Sequence, residues 1–229
     1  MSHQKVTVGF ILIFLGISSI SQSIITADDA YLPPLNDNWL YVGGSGPGNY
    51  TSIQNAIDNA SVGDTVFVYS RTYEGYVVIN KAIHLIGEVK NTTSIIGYFA
   101  YTISLVTDGI EMRGFTILNN ASRGEGVRID SSYNIFTDNI IDIPNDRIRL
   151  FGSNNTFSAN TIKNTYLYIS GDDNIISDNT FINYLYEPLT NGLYGIYFMD
   201  CWNNNVSHNS FYNAGLYISL ENVCNNVVT

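Results

Sequence analysis

Arginine forks grip carboxylates and sulfates, and tyrosine rings stack on sugars. The residues of this chain best suited to such work are Arg128, Asp130, Arg149, Tyr166, Tyr168, Tyr197 and Tyr217. They lie in short apolar–polar alternations such as Val127-Arg-Ile-Asp130, Arg147-Ile-Arg-Leu150 and Tyr166-Leu-Tyr-Ile169. Side chains alternate faces along a strand, so Val127, Ile129, Ile148, Leu150, Leu167, Ile169, Ile196 and Phe198 are expected to point inward. Arg128, Asp130, Arg147, Arg149 and the tyrosines then share an outer face. If the strands stack, they form one stripe, arginines first and tyrosines after. That stripe is a candidate ligand platform. Tyrosine and arginine are also good exposed strand residues that need no ligand to explain them.

Cleavage chemistry asks for more. Glycoside hydrolysis needs two carboxylates flanking the bond. Gly171-Asp172-Asp173 offers a pair, but it falls where sister segments carry Ser131-Ser132-Tyr133 and Ser153-Asn154, so it is read as a turn. Lyase chemistry needs a calcium-binding carboxylate cluster beside a base, and Asp130 alone makes that site thin. No catalytic residue and no cofactor are therefore assigned, with calcium retained only under the lyase alternative. His208 and Asp178 occupy equivalent places in neighbouring segments and read as a surface pair. The remaining soft ligands, His84, Met112, Met199, Cys201 and Cys224, are scattered, and no metal site is assigned. Cys201 and Cys224 sit about one repeat apart; a disulfide across neighbouring repeats and two separate thiols both fit.

The elements that must position these residues follow from composition and periodicity. The chain has 229 residues, 20 acidic against 10 basic, a net charge of −10, 17 tyrosines, 19 glycines and 28 asparagines. The acidic balance argues against nucleic acid and anionic membrane surfaces as partners. Two cysteines are too few for a disulfide-dense miniprotein or a structural zinc site. Residues 1–27 read as a signal peptide, with Lys5 ahead of an apolar run and serines after it. The alternative is an uncleaved membrane anchor. Either way the remainder lies outside the cytoplasm, secreted, at the cell surface or in the periplasm. Residues 28–50 read as a linker with a first strand, and 51–229 as one repeat domain, probable truncation at its carboxy end being part of that expectation.

In the repeat domain, a capping box at Thr51 and Gln54 opens a helix over residues 52–60, expected to plug the end of the first coil. Four segments then superimpose: Asn134–Ile141, Asn155–Ile162, Asn174–Phe181 and Asn204–Phe211. They recur roughly every 20 residues, the mark of a solenoid of short strands. An insertion around Leu185–Gly192 explains the longest step. The second asparagines, Asn139, Asn160, Asn179 and Asn209, are expected to stack as a ladder that satisfies turn amides, with Phe115 taking that place in an earlier segment. The fold expected is all-β, a right-handed parallel β-helix of about seven coils with a short capping helix.

Leu40-Tyr-Val-Gly-Gly, Tyr50–Ile57, Gly63-Asp-Thr-Val-Phe-Val, Val78–Gly87 and the Asn-x-apolar-Ser/Thr-x-Asn repeats resemble the right-handed parallel β-helix superfamily. The likeness is to its NosD-type and carbohydrate-binding/sugar-hydrolase (CASH) branch of microbial surface proteins. It implies the pectin-lyase-like fold over about residues 40–229. It implies less about activity, since the fold hosts lyases, hydrolases, adhesins and accessory proteins. The function expected is an exported, non-catalytic module that binds carbohydrate or other envelope components. The alternatives are a lyase or hydrolase of acidic polysaccharide and a NosD-like periplasmic accessory protein for metal-site maturation.

Overall fold

Strands of three or four β-branched and aromatic residues cannot bury a face alone, and asparagine, aspartate and glycine turn the chain after each one. In the computed structural model, which describes residues 38–98, 100–120, 125–144, 147–183, 195–218 and 225–228 (backbone only over 215–218), the strands stack coil upon coil. Sheet A has nine strands, from Trp39–Val42 to Val227–Val228. Sheets B and C have seven each, from Thr72–Glu74 to Ser210–Tyr212 and from Val77–Ile79 to Gly215–Ile218. Neighbouring strands pair in parallel. The chain is an all-β solenoid of about seven turns with one short helix. Residues 1–27, the start of the 28–50 linker, the Leu185–Gly192 insertion and Cys224 lie outside the described residues.

The interior is built from columns. Met112, Phe136, Phe157, Ile176 and Val206 succeed one another in sheet A, all buried, and the rings of Phe136 and Phe157 stack in parallel at 5.3 Å. Burying each such side chain contributes about 1.5–3 kcal/mol. In sheet C, all eight side chains expected inward, from Val127 to Phe198, are fully buried.

Two asparagine ladders, not one, bracket sheet A. In the expected ladder, the backbone N–H of Asn139 donates to Asn160 Oδ1 at 3.0 Å, Asn160 to Asn179 at 3.0 Å and Asn179 to Asn209 at 2.9 Å. Phe115, without an amide side chain, donates its N–H to Asn139 Oδ1 at 3.1 Å and buries its ring. The second ladder runs through Asn134, Asn155, Asn174, Asn204 and Asn226 in the same way. The residue before a rung is left-handed, for instance Asn154 at φ 58° and Ala159 at φ 54°, and asparagine and aspartate tolerate this best.

The helix, α1 (Ile53–Asn59), buries Ile53, Ala56 and Ile57 against the first coil. Its cap differs from the expected Thr51–Gln54 box. Ser52 is the N-cap and accepts from Asn55 N, because Gln54 is used elsewhere: it accepts from Val78 N at 2.8 Å and donates to Val78 O at 3.2 Å. Lys81 closes the other end, its ammonium donating to the carbonyls of Ile57, Asp58 and Ala60. Both ends of α1 are therefore tied to the sheet C strand and its following turn.

Candidate functional site

Parallel register aligns the residues of sheet C in columns. Ser104, Arg128, Arg149, Tyr168, Tyr197 and Tyr217 follow one another in one column, and Arg147, Tyr166 and Gly195 in the next. The residues singled out from sequence are thus brought together, with Tyr217 placed by its backbone register.

The arginine half is organised by a residue that alternation did not find. Glu125 is inserted among three arginines with its side chain 10% exposed. Arg147 Nη2 donates to Glu125 Oε1 at 2.9 Å, Arg149 Nη1 bonds the same oxygen, and Arg128 Nη1 lies 3.8 Å from Oε2. Arg128 also bonds Asp130 through Nε and donates to the Tyr101 hydroxyl at 3.0 Å. Burial works against the charge of Arg128, but the hydrogen bonds to Asp130 and Tyr101 outweigh it and hold the guanidinium above its ordinary pKa. Phe151 lies beneath: the Arg149 guanidinium carbon sits 3.8 Å from its ring centroid. Three arginines face two carboxylates, which leaves one positive charge in excess. Among the described residues, Glu125 Oε2 and the Nε atoms of Arg147 and Arg149 have no hydrogen-bond partner.

The aromatic half differs from expectation. Tyr168 and Tyr197 stack on each other, with centroids at 5.4 Å and planes at 20°, so their facing surfaces are not open to a sugar. The Tyr168 hydroxyl donates to Met199 Sδ at 2.8 Å, and burial, with Tyr197 close by, raises its pKa. Tyr166 is different. Its successor in the column is Gly195, which has no side chain to cover the ring.

Glu125 escaped the sequence reading for a physical reason. It precedes Gly126, where the register against the neighbouring strand shifts by one: Gly126 faces Tyr101, while Val127 already faces Ile103. Strict alternation fails across such a bulge. Phe151 and Tyr101 lie in the residues flanking the stripe, and their signal was aromatic type beside arginine.

The other candidates are structural. Asp172 accepts from Trp202 N at 2.7 Å and Asp173 adopts φ 56°, so this pair builds a turn. Among the described residues no three His, Cys, Asp or Glu side chains gather as a metal site. Met112 is buried in the core and Met199 accepts from Tyr168. His84 is bonded through Nδ1 to Glu111 at 2.8 Å, and His208 holds a left-handed turn at φ 56°. Cys201 is a buried free thiol whose pKa burial pushes up to about 11.

Among solved structures, pectin methylesterase from Aspergillus niger superposes with a TM-score of 0.51 at 15% identity, over 84% of this chain and 86% of that one. Pectin methylesterase PemA from Erwinia chrysanthemi gives 0.47 at 12% identity, over 83% and 90%. The carrot enzyme gives 0.47 at 16% identity over 72% of this chain, which spans 62% of the carrot protein. The first of these likenesses bears on the fold alone. No curated protein sequence matches. A family model described as periplasmic copper-binding protein (NosD) matches residues 57–229. With the repeat region of the solenoid covered by that match, the chain belongs to the NosD family.

Proposed function

We propose that this NosD-family solenoid is a non-catalytic protein of the periplasm or cell surface that binds a carboxylated polysaccharide across the outer face of sheet C. The carrying observation is the arginine island: Arg128, Arg147 and Arg149 clustered in register on a chain of net charge −10. An anionic chain is repelled by most of such a surface and attracted here. The side chains of these arginines are 31%, 40% and 24% exposed, so ligand carboxylates can reach their free edges. Tyr166 offers a ring face beside them, and the Tyr168–Tyr197 pair offers edges and hydroxyls. Binding is favoured over cleavage because Glu125 and Asp130 are each engaged by arginine. For copper binding, which the family description names, no group of three His, Cys, Asp or Glu side chains gathers among the described residues.

The test is retention on immobilised polysaccharides. Wild-type protein is expected on polyuronates and sulfated chains, released by salt, and held less by neutral glucans. Tyr166→Ala and Arg149→Gln should each weaken retention with the circular-dichroism spectrum unchanged. Folded protein that passes every acidic glycan freely would end this reading, and release of unsaturated sugar product would replace binding with lyase activity.

A further inference from the structure

A second site lies where α1 meets sheets B and C. A cleft of about 310 Å³ opens between the first residues of the helix and the Thr72–Glu74 and Val77–Ile79 strands. Ligand pockets start at about 300 Å³, so the space suits one small molecule. Its floor is apolar: Ile53, Tyr73, Val77 and Ile95, all buried. Its lining also holds Arg71, Glu74, Thr51 and Thr72, all exposed. Tyr76 stands in the lining, 41% exposed.

Among the described arginines, Arg71 stands apart in its charge pairing. Every arginine of the sheet C island is tied to a carboxylate, and Arg113 bonds Glu111 at 2.9 Å. Arg71 and Glu74, in contrast, enter no ion pair among the described residues; the Arg71 guanidinium only rests over the Tyr73 ring at 5.9 Å. The Tyr73 hydroxyl below donates to Tyr69 O at 2.9 Å, with Val42 O at 3.2 Å. Gln54 is likewise locked onto Val78.

We infer that this cleft binds a single carboxylated sugar residue, a hexuronate, as a site distinct from the sheet C face. Arg71 takes the carboxylate as a fork. Glu74 and the threonines take the ring hydroxyls, and Tyr76 takes the apolar ring face. A sugar acid is favoured over a zwitterion by the neighbourhood: the Tyr76 ring packs on Tyr101 at 6.1 Å, and the Tyr101 hydroxyl accepts from Arg128, so the cleft adjoins the arginine island. The same chemical class is thereby met at both sites.

The test uses monomers, with Arg149→Gln reporting any binding at the sheet C face. Galacturonate and glucuronate are titrated into the whole protein by calorimetry and by chemical-shift mapping, with galactose and glycine as comparison ligands. The expected result is saturable uronate binding, at least ten-fold weaker in Arg71→Gln and in Tyr76→Ala, and unchanged in Arg149→Gln. Shifts should centre on residues 71–77. Absent uronate binding, equal binding of galactose, preference for glycine, or loss in Arg149→Gln with Arg71→Gln unaffected would each overturn the inference. Failure of the sheet C reading has a different signature: uronate monomers still bind while polyuronate retention ignores Arg149→Gln.

Discussion

Asn160 and Asn174, one from each asparagine ladder, differ in the partners of their Nδ2 atom, and that difference predicts a stability gap. Asn160 and Asn174 are equally buried, at 1% exposure each, so truncation to alanine removes the same volume. Asn160 makes four side-chain hydrogen bonds: it accepts from Asn139 N at 3.0 Å and Asn139 Nδ2 at 3.3 Å, and donates to Phe136 O at 3.0 Å and Asn179 Oδ1 at 3.1 Å. Asn174 accepts from Asn155 N at 2.8 Å, and its Nδ2 has no partner among the described residues. One difference lies three residues upstream. In the first rung Asn134 Nδ2 donates to Ser131 Oγ at 3.0 Å and to Asn155 Oδ1 at 3.0 Å, and Gly152 and Gly171 take the serine position in the next two. Each net bond is worth about 1 kcal/mol, and an orphaned buried donor costs about 1–3 kcal/mol. Asn160→Ala is therefore expected to lose about 3–4 kcal/mol and Asn174→Ala about 1–2 kcal/mol. A domain of this size moves roughly 2–4 °C per kcal/mol, so the two midpoints should differ by roughly 4–8 °C. Thermal unfolding followed by circular dichroism measures the gap, with urea m-values checking that both variants unfold alike. Equal losses, or a larger loss at Asn174, would refute the assignment of stability to the amide bonds.

Three further outcomes follow from particular contacts. Glu125→Gln keeps an acceptor for Arg147 and Arg149 but removes the charge, so polyuronate affinity should rise several-fold with a steeper salt dependence; an unchanged or weaker affinity contradicts the role given to the island. Gly152→Ala should prevent proper stacking, since a Cβ there would lie 1.7 Å from Ser131 O, and unfolding or aggregation of this variant is the expected readout in solubility and thermal assays. Cys201, raised to about 11 by burial, should resist thiol reagents at pH 8 until the protein unfolds. Because its folded pKa lies above the ordinary value of 9.0, the neutral thiol's contribution is complete below that value and is lost as pH rises towards 11; a midpoint insensitive to pH across this window would contradict it.

Much of the fold was legible because the solenoid repeats its own evidence. The spacing of asparagines fixed the coil length, and the alternation in residues 127–129 and 148–150 placed every inward residue correctly. Register, once periodic, then aligned Arg128, Arg149, Tyr168 and Tyr197. The first asparagines of the repeat were visible too, but that Asn134 and its successors form a second ladder needed the turn geometry. What one strand's pattern does not encode was missed. Glu125 sits across a bulge, and the mutual stacking of Tyr168 and Tyr197 depends on side-chain rotamers. The cleft beneath α1 depends on how Gln54 draws the helix onto Val78, a contact between residues far apart in sequence.

A cationic site for acidic glycan on sheet C is tested by titrating a defined oligogalacturonate calorimetrically into the wild type and into an Arg128→Gln/Arg149→Gln double variant, at low and at physiological ionic strength. Wild-type binding is expected to weaken with salt, and binding by the double variant to be at least ten-fold weaker and nearly salt-independent. Equal affinity of the two proteins, or wild-type binding indifferent to salt, would contradict it.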